Sequence, residues 1–94
     1  MIIEAKFTYY SRYIYIPDGY IHDITKVHCE PFSDWMSTQS DCMIEEPGGG
    51  LGFTFDSDDF LRYLNTEVLK EAYEKAYYVE KPDGKSRVAA TLYF

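Results

Sequence analysis

Polar and apolar positions alternate with period two at the start of the chain. Ile3, Ala5, Phe7 and Tyr9 fall on one side, and Ile2, Glu4, Lys6 and Thr8 on the other. That period, carried by β-branched and aromatic residues, predicts a strand over 2–9. Ser11-Arg12 is the expected turn into a second strand over 12–16, which Pro17-Asp18-Gly19 ends. Residues 20–29 keep Ile21, Ile24, Thr25 and Val27 in looser alternation and read as a third strand. Over 31–41 the pattern fits either a short helix capped by Ser33 or a loop that buries Trp35. Residues 42–44 and 52–55 read as further short strands.

The period changes after Phe55. Asp56 or Ser57 is placed to cap a helix, with Asp58 and Asp59 at the positive end of its dipole. Phe60, Leu61, Leu64, Val68, Leu69, Ala72, Tyr73 and Ala76 then form one broad apolar stripe. The expectation is one principal helix, with a kink allowed at Asn65-Thr66. Lys70 with Glu74 and Glu71 with Lys75 are i,i+4 pairs on its other side. Tyr77-Tyr78-Val79 fits a helix end or a strand start, residues 81–85 a turn, and residues 87–94 a last strand. The apolar Phe94 suggests that this strand is paired inside the sheet. Together these elements predict a single α+β domain over 1–94, a mainly antiparallel sheet with the helix packed across it.

Composition sharpens this picture in two ways. The chain of 94 residues holds ten tyrosines, six phenylalanines and one tryptophan. Tyrosine buries a ring while keeping its hydroxyl wet, which suits half-buried sheet faces and protein interfaces. The net charge is −7, and the acids cluster. Between Lys26 and Arg62 lie Glu30, Asp34, Asp41, Glu45, Glu46, Asp56, Asp58 and Asp59, with no Lys or Arg among them. Such a block repels nucleic acid and anionic membrane and attracts basic protein surfaces. No signal-like start and no membrane-length apolar run is present, so a cytoplasmic protein with reduced thiols is expected.

The motifs that suggest chemistry each meet a simpler explanation. Gly48-Gly49-Gly50-Leu51-Gly52 resembles a phosphate loop, but it lacks a dinucleotide fingerprint and a Gly-Lys-Ser/Thr ending. Acids on both sides would repel the anion, which leaves a turn that uses glycine's freedom at positive φ. Asp56 to Asp59 lack the spacing of a calcium loop, and helix capping accounts for them. His22, His28, Cys29 and Cys42 do not have the spacing of a zinc set. No nucleophile lies in an elbow motif, so no catalytic residue, metal or cofactor is assigned. Tyr9, Tyr10, Tyr13, Tyr15 and Tyr20 suggest a base-stacking platform, but only Lys6, Arg12 and Lys26 accompany them.

These features together suggest a small protein-binding module with an acidic surface, an inhibitor that occupies a basic, nucleic-acid-binding surface of a protein or nucleoprotein complex. The candidate contacts are Glu45, Glu46, Asp56, Asp58 and Asp59, assisted by Glu30, Asp34 and Asp41. In style the chain is similar to phage-encoded inhibitors of host defence, including anti-CRISPR proteins; the likeness is one of type and covers no motif. It implies a host-cytoplasmic setting. Two other classes fit the sequence: a structural protein that self-associates through tyrosine-rich strand edges, and a small enzyme or ligand-binding domain. The last requires a concavity with convergent polar groups.

Overall fold

The alternation in the first strand sets the layers. In the computed structural model, which describes residues 1–27, 30–39, 43–45, 48, 51–53, 55–84 and 87–94, β1 (Ile2–Lys6) turns Ile3 and Ala5 into the core and Glu4 and Lys6 away from it. β2 (Ser11–Tyr15) pairs antiparallel with it, Ile14 opposite Ile3 and Tyr13 opposite Glu4. The N-terminus extends this ladder: the Met1 ammonium donates to Ile16 O at 2.9 Å and Ile16 N–H donates to Met1 O at 2.8 Å. The reversal between the strands spans Phe7 to Tyr10, closed by Phe7 N–H on Tyr10 O, so Ser11 and Arg12 belong to the strand and not to the turn. Gly19 makes the next reversal at φ +93°, where a side chain would be strained.

Residues 21–27 form a helix, α1 (Ile21–Val27), in place of the expected third strand. Tyr20, Ile21 and Ile24 have helical spacing, and only Ile24 is fully buried. Asp23 in the first turn and Lys26 in the last complement the helix dipole. α2 (Glu30–Met36) follows, with Pro31 in its first turn, where proline's missing N–H costs nothing. It starts before Ser33, which is exposed within the helix rather than capping it, and it buries Phe32 and Met36 with Trp35 half-buried. β3 (Met43–Glu45) and β4 (Leu51–Phe53) form an antiparallel ribbon, Ile44 opposite Gly52, whose main contacts are strand to strand.

The expected principal helix is short. α3 (Ser57–Tyr63) passes into a π-helical turn (Leu64–Val68), and regular helix stops there. Asn65 accounts for the stop: its side chain accepts Ala76 N–H at 2.7 Å and donates to Ala76 O at 3.0 Å. That clamp brings residue 76 back against the helix and feeds it into β5 (Tyr77–Val79). Lys75 bonds the carbonyls of Leu69 and Lys70 that a continuing helix would have used. The predicted pairs of Lys70 with Glu74 and Glu71 with Lys75 therefore have no helix to form on.

β6 (Val88–Tyr93) completes a mixed sheet of order β5-β2-β1-β6, parallel to β1 and antiparallel elsewhere. β6 is an edge strand, not an inner one, although Phe94 N–H still reaches Lys6 O at 2.9 Å. Its alternation breaks once: Ile2 faces Val88 and Ile3 faces Ala90, so Val88 stands on the outer face while Leu92 enters the core. The architecture is α+β, with short helices on one face of the sheet. Ile3, Ala5, Ile14 and Leu92 meet Ile24, Phe32, Met36, Phe60, Tyr63 and Leu64 there. Each large apolar side chain in this layer contributes about 1.5–3 kcal/mol by leaving water.

Asn65→Ala removes both bonds and strands the Ala76 backbone groups. We expect a loss of about 2 kcal/mol in urea unfolding, with the far-ultraviolet spectrum of the folded protein little changed.

Candidate functional site

The acids divide by what they do. Asp56 is the N-cap of α3: its Oδ1 accepts Asp58 N–H at 3.0 Å and Asp59 N–H at 3.2 Å, and Asp59 Oδ2 accepts Asp56 N–H at 3.0 Å. This reciprocal box satisfies helix donors that would otherwise lack partners. Asp59 also pairs with Arg62 at 3.3 Å. Asp58 accepts the Tyr78 hydroxyl at 2.5 Å, tying the helix to β5. Ser57 N–H donates to the Tyr10 hydroxyl at 2.9 Å, a second tie to the β1–β2 reversal.

Glu30, in the first turn of α2, complements the helix dipole as Asp23 does in α1, but neither it nor Asp34 serves as a cap or a tie. They lie four residues apart on α2, both exposed, and this spacing places them on one side of the helix. Among the described residues neither makes an ion pair or side-chain hydrogen bond, and the last turn of α2 has no basic residue. Glu45 ends β3, and five residues join it to Leu51. Asp41, Glu46, His28, Cys29 and Cys42 lie outside the described residues. Gly48 is at φ +101°, the left-handed conformation that glycine takes readily. Among the described residues no group of three or more His, Cys, Asp or Glu is gathered to hold a metal ion. No helix of the described residues is long and apolar enough to cross a membrane.

The tyrosines are mostly outside the core. Tyr63 is buried; Tyr9, Tyr73, Tyr77 and Tyr93 are well exposed. Tyr15 stacks on Tyr77 at 4.9 Å on the outer face, and the Arg12 guanidinium lies 3.8 Å from the Tyr78 ring centre at the opposite face. The outer face also holds a feature that no local motif announced. Glu4, Lys6, Tyr13 and Thr91 from the sheet, with Lys81, Pro82 and Gly84 from the segment after β5, line a cavity of about 560 Å³. Burial and the nearby Glu4 carboxylate, which accepts its hydroxyl, raise the Tyr13 pKa.

No family model, no curated protein and no solved structure matches this chain. The functional reading therefore rests on its own geometry.

Burial, reinforced by the bond to Asp58, pushes the Tyr78 pKa from 10.0 up to about 12, against the opposing effects of Ser57 and Arg12. A raised folded-state pKa means a contribution to stability that is whole below pH 10 and lost as the pH rises through about 12. Unfolding free energy should fall across that window, and Tyr78→Phe should flatten part of the fall. Chemical denaturation of both proteins at a series of alkaline pH values checks this.

Proposed function

We propose that this chain is a small protein-binding module that inhibits its partner by occupying a basic, nucleic-acid-binding surface. The observation that carries the reading is the pair Glu30 and Asp34, two exposed carboxylates one turn apart without counter-charges among the described residues. A carboxylate with no ion-pair partner among the described residues is available to an external one, and it steers a cationic surface before contact. Glu45, Glu46 and Asp41 belong to the same acidic block of the sequence. Asp56, Asp58 and Asp59 add to the negative field while serving α3, so they contribute attraction rather than the specific contacts. The partner is a basic protein or nucleoprotein, and nucleic acid itself is repelled by the net charge of −7.

A second reading, self-association, is favoured by one observation: β6 is a six-residue edge strand with Tyr93 67% exposed. Unpaired edges pair with other chains unless they are protected. Sedimentation that stays monomeric over a wide concentration range would count against it.

The test of the main reading is affinity capture from a bacterial lysate with matched variants. Glu30→Lys with Asp34→Lys should abolish capture of the partner, and added chain should displace nucleic acid from that partner. Asp58→Asn should leave capture within about twofold, the scale expected for one screened surface charge. If the double reversal captures the same partner equally well, the acidic surface is not the contact.

A further inference from the structure

We propose that the cavity on the outer face of the sheet binds a small zwitterion of the α-amino-acid kind, its ammonium group at Glu4 and its carboxylate toward Lys6 and Lys81. This site is on the opposite side of the sheet from the helices and is independent of the protein-binding reading.

The cavity follows from the topology. β5 and β6 run in the same direction at opposite edges of the sheet, so the connection between them must cross both inner strands. The crossing spans roughly 14 Å between the edge strands, well within the roughly 28 Å that eight residues can reach. The helix side is filled by the core, and the cavity shows that Lys81, Pro82 and Gly84 pass over the outer face. Gly84 at φ +81° makes the bend. The volume, about 560 Å³, lies within the range of roughly 300–1,000 Å³ usual for small-molecule sites.

The chemistry follows from what the charges do not do. Glu4 is half-buried at the middle of the central strand, and its contacts are loose: the Tyr13 hydroxyl at 3.4 Å from Oε2 and the Thr91 hydroxyl at 3.5 Å from Oε1. Good O–H···O bonds are about 2.5–3.0 Å long, and a carboxylate offers about four acceptor positions. Acceptor capacity is therefore left at both oxygens. Lys6 and Lys81 line the same cavity, yet among the described residues neither makes an ion pair with Glu4. Lys6 instead lies 5.7 Å from the ring centre of Tyr93.

Opposite charges that share a cavity without neutralising each other complement a dipolar ligand. A simple anion would be opposed by Glu4, and a simple cation by the two lysines. A molecule with an ammonium and a carboxylate meets both, and the Tyr13 and Thr91 hydroxyls can turn to accept from the ammonium as well as to donate to Glu4. Pro82 and Val88 supply apolar wall beside these groups.

The experiment is a titration of the isotope-labelled chain, followed by amide NMR shifts, with each of the twenty common L-α-amino acids at millimolar concentration. At least one should shift the amides of Glu4, Lys6, Val88 and Thr91, saturably and without moving those of α2. The N-acetylated form and the carboxamide of that amino acid should each bind about tenfold more weakly, the effect of losing one charge-assisted contact. Glu4→Gln should weaken binding to the same degree; Lys81→Ala, on an exposed position, gives a second variant should Glu4→Gln not fold. Absence of saturable shifts with all twenty, or equal binding of the blocked forms, overturns the proposal.

Discussion

The pairing of β1 on both sides is the constraint on which the rest depends. β2 joins it by a local reversal, but β6 reaches it from the far end of the chain and in parallel. Parallel neighbours require a crossover. Here the crossover is made by the segment after β5 and passes over the outer face, while the helices occupy the other face. One strand therefore separates two chemical environments. Its odd residues Ile3 and Ala5 anchor the core, and its even residue Glu4 is left to form a polar recess.

The same division separates structural acids from available ones. At the start of α3, three carboxylates answer helix N–H groups, a tyrosine hydroxyl and an arginine. On α2, two exposed carboxylates make no ion pair and no side-chain hydrogen bond among the described residues. Acid content alone did not distinguish the groups; hydrogen-bond partners do. The chain thus carries exposed carboxylates on its helices and a mixed-charge recess on the other face of its sheet.

Much of this was legible from local pattern: the alternation of β1, the turn at Gly19, the Asp56 cap and the strand near the C-terminus all follow from neighbours in sequence. The failures arise where distant contacts override local preference. Ile21, Ile24 and Thr25 favour a strand by composition, but burial of Ile24, on a segment packed against β6, α2 and the π-helical turn, selects the helix. The apolar stripe from Phe60 to Ala76 would carry one helix, but Asn65 reaches Ala76 across eleven residues and ends it. The recess was hidden for the same reason. Glu4, Tyr13, Lys81 and Thr91 come from strands and a crossing that only the parallel pairing brings together.

The proposed docking surface is made by the acids of α2 and of the ribbon segment, and not by the structural ones at α3. Amide NMR mapping with a short oligolysine peptide addresses it without knowledge of the natural partner. Salt-sensitive shifts are expected, centred on α2 (Glu30–Met36) and on the ribbon residues Met43–Glu45 and Leu51–Phe53, with α3 and β1 little affected. Shifts centred on the start of α3, or spread evenly over all exposed acids, would contradict the proposal.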